Sequence, residues 1–135
     1  MSELIMIRLG TKLDESFIYA TWLKGYFYGN PDFADMQPAT FYAVYPRVIE
    51  TILNRLGSNV VIACLKDDPE VIIGYAVFTD KVLHYAYVKQ PFRSQGVLRA
   101  LIASNPGTTE YSHKTKPAKA LAAKFNLTFN PILDK

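Results

Sequence analysis

Apolar positions along the chain follow two periods, alternation or short unbroken runs for strands and four-residue spacing for helices. Leu4-Ile5-Met6-Ile7-Arg8-Leu9 reads as a short strand closed by Gly10. Thr11 or Asp14 is placed to cap a helix running to about Lys24, with Ile18 and Trp22 on one face and Gly25 as terminator. Tyr26 to Met36 then reads as a loop rich in Gly, Asn, Pro, Asp and aromatics. Pro38 opens a second helical region that ends near Gly57 and is interrupted by Pro46. Its apolar stripe is Tyr45, Ile49, Ile52, Leu53 and Leu56, with Arg47, Glu50, Asn54 and Arg55 facing away.

Three strand signals follow, at 59–65, 71–79 and 82–89. The turn at 66–70 and the Asp80-Lys81 connection make them an antiparallel meander. Residues 90–95 form a loop, and 96–104 a helix with Val97, Leu98, Leu101 and Ile102 on its apolar side. Asn105-Pro106-Gly107 stops that helix. A strand is predicted at 108–113, a helix at 118–125 with Pro117 in its first turn, and a closing strand at 127–133. Pro131 marks the last as an edge or a bulge. The order β-α-α-β-β-β-α-β-α-β predicts an α/β (α+β) fold with a mixed sheet, antiparallel first and parallel later. Strands apolar on both sides require helices on both faces.

A length of 135 residues, half of them apolar and 20% charged, fits one globular domain over 1–135. No apolar run approaches the roughly 18 residues of a membrane span, and the N-terminus lacks the pattern of a secretory signal. A cytoplasmic protein with no membrane partner is therefore expected. The lone Cys64 lies in an apolar run and reads as a small core residue. Two histidines, one cysteine and no dense carboxylate cluster give no metal-site spacing. The net charge of +3 hides an asymmetry: residues 1–80 sum to −4 and residues 81–135 to +7. A basic second half suits a polyanionic ligand, a phosphorylated cofactor or a nucleic acid, or is simply a solvated face.

The chemistry concentrates in 82–101, where a strand runs into a short loop holding Arg93 and Gly96, and a helix begins. Free N–H groups at a helix start attract phosphate, glycine lets a pyrophosphate come close, and Arg93 and Arg99 add charge. This segment resembles the acyl-CoA-binding motif of the GNAT superfamily of N-acetyltransferases, Gln/Arg-x-x-Gly-x-Gly/Ala after the fourth strand. Arg93, Gly96 and the strand ending at Val88 match, while Leu98 stands where Gly or Ala is usual. The element order also resembles the GNAT fold over nearly the whole chain, and the small size is similar to short phage-encoded members.

The resemblance implies a V-shaped slot between the fourth and fifth strands that takes acetyl-CoA or another acyl-CoA. Tyr87 and Val88 would meet the pantetheine arm, and an N–H there would polarise the thioester carbonyl. Backbone groups of Arg93, Ser94, Gln95, Gly96, Val97 and Leu98 would hold the pyrophosphate. The amine would enter beside the loop after the first helix, where Tyr26, Tyr28, Asp32 and Phe33 are candidate substrate contacts; packing of that loop onto the sheet is the plainer alternative. Family members often carry a tyrosine general acid in a pattern like Leu-Tyr-Glu-Lys-Leu-Gly-Phe. Here the segment reads Leu121-Ala122-Ala123-Lys124-Phe125-Asn126-Leu127, with Ala122 at the tyrosine position.

Other groups must then move protons. Tyr85 and Tyr87 lie beside the slot, and Ser112 and His113 end the next strand; Tyr87, His113 and Ser112 are the catalytic candidates. His84 alternates with Tyr85, so it should face the other side of the sheet as a structural residue. The function implied is acyl-CoA-dependent N-acyl transfer to an amine: a small molecule, a protein lysine or a nucleobase. The alternative is a GNAT-fold binding module with little or no chemistry, in which Lys114, Lys116, Lys119 and Lys124 meet nucleic-acid phosphates.

Overall fold

A computed structural model describes residues 3–131. The elements are β1 (Ile5–Leu9), α1 (Glu15–Gly29), α2 (Pro38–Val44), α3 (Pro46–Leu53), β2 (Ser58–Leu65), β3 (Ile72–Thr79), β4 (Val82–Val88), α4 (Val97–Ala103), β5 (Glu110–Tyr111), α5 (Lys116–Phe125) and β6 (Thr128–Phe129). One six-stranded sheet has them in the order β1-β2-β3-β4-β5-β6. Pairing is antiparallel from β1 to β4 and parallel from β4 to β6, the mixed sheet expected from the sequence.

Helices cover both faces. On one, Ile18, Trp22, Phe41, Ile49 and Ile52 of α1–α3 pack on Ile62, Cys64, Tyr75 and Val77. On the other, Val97, Leu101 and Ala122 of α4 and α5 pack on Val61, Ile73, Ala76, Phe78 and Leu83. Every residue of β3 is buried, which explains its unbroken apolar run. Among the described residues no helix is long and apolar enough to cross a membrane.

Several expectations are corrected. Gly25 does not end α1, which continues to Gly29. The glycine is there for packing: a Cβ at position 25 would lie 1.9 Å from the Tyr85 hydroxyl oxygen. Tyr26 and Tyr28 are therefore helical, and Asp32 and Phe33 belong to a 3-10 turn, Pro31–Phe33, rather than to an irregular loop. The helix stops at Asn30, whose side-chain oxygen accepts the Asp32 N–H at 2.9 Å ahead of that turn. Second, the next helical region, interrupted at Pro46 as expected, ends at Leu53 rather than near Gly57. Leu56 lies beyond the last turn and is 98% exposed instead of completing the stripe.

Third, β5 pairs only over Glu110–Tyr111 and β6 only over Thr128–Phe129, shorter than 108–113 and 127–133. Residues 132 and 133 of the closing strand lie outside the described residues. The registers of β3 and β4, Val77 opposite Tyr85 and Phe78 opposite Leu83, leave His84 as the extra residue of a β-bulge. The bulge breaks the alternation that would have put His84 and Tyr85 on opposite faces.

Candidate functional site

β4 and β5 are in register only at Val82–Glu110 and Leu83–Tyr111. Beyond Leu83 the two chains part, β4 running on to Val88 while the other segment turns through Thr115 into α5. The gap is a cleft of about 750 Å³. Ala86, Val88, Val97, Leu98, Ala118, Leu121 and Phe125 wall it on the α4–α5 side. Gly25, Tyr85, Tyr87, His113 and Thr115 wall it on the α1 side. It therefore passes through the sheet where β4 and β5 separate.

Among the described residues, the charged groups lining the cleft are Arg93, Arg99 and Lys124, and no Asp or Glu lines it. Arg93 is held by its own strand: Nε donates to the Val88 carbonyl at 2.8 Å, and the guanidinium lies 6.0 Å from the Tyr87 ring centroid. Arg99 lies 5.3 Å from the Phe125 ring centroid, bridging α4 to α5. Ser94 (φ 64°) and Gly96 (φ 81°) adopt left-handed backbone, which folds the loop tightly back into α4. Ser94, Gly96, Val97 and Leu98 line the cleft, and Leu98 also packs on the core. Gln95 does not line it; its amide donates to the Pro91 carbonyl at 3.0 Å.

Through and behind the α1-side wall runs a chain of buried and part-buried hydrogen bonds, with His84 and His113 lining the cleft. Ser58 Oγ donates to the Ile52 carbonyl, which can only accept. That fixes every bond upstream. Thr79 Oγ1 donates to Ser58 Oγ at 3.0 Å, and His84 Nε2–H to Thr79 Oγ1 at 2.9 Å. Ser112 Oγ donates to His84 Nδ1 at 2.6 Å, His113 Nδ1–H to Ser112 Oγ at 2.8 Å, and the Tyr45 hydroxyl to His113 Nε2. The tautomers are assigned by this network. Both nitrogens of both rings are thus committed inside the protein. Burial, with Arg55 nearby, pushes the His84 pKa down to about 4. Burial, with His84 beside it, pushes His113 down to about 3. His113 is a buried wall residue, not a surface neighbour of Lys114. Ser112 is buried between the histidines and does not line the cleft.

Tyr85 differs from its neighbours. Its ring stacks on Trp22 at 5.2 Å and 6°. Its hydroxyl reaches α1 at Gly25 and has no hydrogen-bond partner among the described residues. Burial raises the Tyr85 phenol pKa well above its ordinary range, so the group is a hydroxyl at neutral pH.

The other candidates spread out. Tyr26 sits behind the wall, its ring 4.6 Å from His113. Phe33 packs on Tyr26 and Phe41, Tyr28 is 69% exposed, and Asp32 is exposed. None of these four lines the cleft. Ala122 is buried in the α5-side core, whereas Ala118, Leu121 and Phe125 of the same helix line the cleft. Sequence reasoning missed Gly25, Thr115 and Tyr45. Thr115 had a readable signal, since Thr-Lys-Pro is a cap followed by proline, and its hydroxyl accepts the Ala118 N–H at 3.1 Å. Tyr45 was masked by its place in an apolar stripe.

No protein-family model and no curated protein matches the sequence. Solved structures do match. A possible acetyltransferase from Clostridium difficile 630 aligns over 93% of this chain and 91% of its own, at 14% identity and a TM-score of 0.60. A transcriptional regulator from Bacillus halodurans C-125 aligns over 90% and 89%, at 16% identity and 0.54. Aminoglycoside N-acetyltransferase AAC(6')-Iy, in complex with CoA, aligns over 90% and 84%, at 20% identity and 0.51. The fold is the GNAT fold that the sequence resemblance implied.

Proposed function

We propose that the chain is an acyl-CoA-dependent N-acyltransferase that moves an acetyl or related acyl group to an amine. The observation that carries this reading is the separation of β4 from β5. It opens a channel through the sheet with apolar walls and cations lining it. The CoA held by the aminoglycoside acetyltransferase of similar fold supports the same ligand class.

The lining fits such a ligand. Arg93, Arg99 and Lys124 supply charge for phosphates, and Gly96 keeps a side chain out of the turn beside them. Helix geometry leaves the first N–H groups of α4 without carbonyl partners. Beyond Leu83, the backbone groups of β4 that β5 leaves without a strand partner, apart from the Val88 carbonyl held by Arg93, would bond an extended arm as a missing strand would. The bound thioester supplies an activated acyl carbon. Tyr85 serves at the α1 side as a neutral hydroxyl, able to give a proton to a leaving thiolate and take one from the attacking nitrogen. Tyr87 positions Arg93 through its ring. His113 and Ser112, fully engaged with each other and with Tyr45 and His84, have no free nitrogen or hydroxyl for proton transfer; His113 forms part of the wall and Ser112 lies behind it.

Calorimetry with acetyl-CoA tests the reading. The wild type should bind saturably, and Gly96→Asp, which sets a carboxylate where the phosphates must lie, should weaken binding by about tenfold or more. No binding to the wild type, or equal affinity in both proteins, would overturn it.

A further inference from the structure

The α1 side of the cleft is lined differently from the phosphate side. Its walls are Gly25, His84, Tyr85, Tyr87, His113 and Thr115. Four are flat rings, and Tyr85 is held in place by stacking on Trp22. Among the described residues no carboxylate is there to pair with a cation: no Asp or Glu lines the cleft, and its charged groups are all cations. Nothing there can take a proton as a base either, because the nitrogens of His84 and His113 are tied into the chain that ends on the Ile52 carbonyl. Asp32 does not line the cleft, and Asp35, like Asp32, is exposed.

We propose that the acceptor is an aromatic amine, with its nitrogen attached to a flat ring and uncharged at neutral pH, rather than an alkylammonium. This rests on the acyltransferase reading. A neutral amine needs no prior deprotonation. Its nitrogen attacks the thioester carbon, the C–N bond forms, the C–S bond breaks, and the proton shed by nitrogen ends on the thiolate sulfur. The proton balance closes within the cleft, with the Tyr85 hydroxyl as the relay. An alkylammonium would first have to lose a proton, and among the described residues the cleft has no carboxylate or free imidazole to receive it. It would also enter a site whose fixed charges repel it, at the cost of desolvating an unpaired ion. A flat ring instead meets Tyr85, Tyr87 and His113, where offset or edge contacts add to apolar burial.

p-Toluidine and benzylamine test the proposal, because they are isomers that differ in the basicity of the nitrogen. With acetyl-CoA at pH 7, p-toluidine should be acetylated with a kcat/KM at least about tenfold higher, despite its weaker intrinsic nucleophilicity. A benzylamine kcat/KM equal or higher, or no transfer to either isomer by protein that binds CoA, would overturn the proposal and leave CoA binding standing. Calorimetry on the same preparation separates the two readings, since absent CoA binding would sink both. Thr115→Asp supplies a second arm. Aspartate also caps a helix, so α5 keeps its N-terminus, and a carboxylate enters the wall. The preference for p-toluidine should fall several-fold. An unchanged preference in a variant of wild-type stability would show that the charge of the cleft does not select the acceptor.

Discussion

The hydroxyl of Tyr85 fills the space that a side chain at Gly25 would need, since a Cβ on that glycine would stand 1.9 Å from the phenol oxygen. Strand β4 and helix α1 are thereby fitted to each other at one point on the cleft wall. The same fit explains why α1 passes through a glycine without stopping. The residue gives up helix propensity to admit a phenol, and Trp22, one turn earlier, stacks on that ring.

Gly25→Ala should therefore destabilise the protein. In an open helix the change would add up to about 1 kcal/mol of stability. Here the methyl must displace a ring pinned by Trp22, and a loss of about 1–3 kcal/mol is expected. Tyr85→Phe removes the clashing oxygen and leaves a ring carbon at 3.2 Å as the nearest atom. Urea denaturation of the single and double variants should show strong coupling, with Tyr85→Phe recovering much of the loss. Additive changes would mean that the two residues do not compete for space.

Tyr85→Phe alone should leave stability within about 0.5 kcal/mol, because no protein group loses a hydrogen bond. If the hydroxyl relays the proton, kcat should fall on the order of 10²-fold or more while CoA affinity stays unchanged. Tyr87→Phe is the control: the ring beneath Arg93 is retained, and kcat should change little. Equal effects of both variants on kcat would remove Tyr85 from the chemistry.

The buried histidines make stability depend on pH with a defined sign. Their folded pKa values, about 4 for His84 and about 3 for His113, lie below the unfolded value near 6.5. The unfolded chain binds protons first. Stability is full above about pH 6.5 and is lost as pH falls toward 4 and then 3. Each histidine contributes up to about 1.4 kcal/mol per pH unit in that window. The urea midpoint should drop clearly between pH 7 and pH 5, and a flat profile would contradict neutral burial. Ser112→Ala breaks the chain between the rings and should cost about 1–3 kcal/mol. Nitrogen-15 shifts should report His84 as the Nε2–H tautomer and His113 as the Nδ1–H tautomer.

Much of the fold is legible in the pattern of the chain. The β2–β4 meander, the helix after Gly96 and the mixed sheet follow from alternation, turn residues and apolar faces, because those signals are local. What escaped is what depends on partners distant in sequence. Gly25 carries the local signature of a helix stop, and only Tyr85, on another element, explains why it is not one. Alternation put His84 opposite Tyr85, but a bulge set by the register of β3 moved it into the hydrogen-bond chain. The phosphate-side loop was readable because strand, loop and helix are contiguous. The α1 side was not, because Gly25, Tyr85, His113 and Thr115 meet only when α1 and the chain after β5 converge on β4.

Ala122 tests the last of these distinctions. The family resemblance puts a general-acid tyrosine at that position, so restoring it should supply the missing proton donor. The structure gives the opposite expectation. Ala122 is 7% exposed and packed in the α5-side core, while Leu121 of the same helix lines the cleft. A phenol at 122 must push into filled space, so Ala122→Tyr should cost about 1–3 kcal/mol and lower the melting temperature without raising kcat. Leu121→Tyr starts from a half-buried cleft position, where the ring can replace the leucine against the core and the hydroxyl can face the channel. It should fold with a smaller loss and, in a Tyr85→Phe background, restore part of the lost rate. Thermal melts and single-turnover thiol release on the wild type and these four variants, the Tyr85→Phe parent included, decide the matter. A stable Ala122→Tyr protein with raised kcat would show that α5 presents residue 122 to the cleft during turnover.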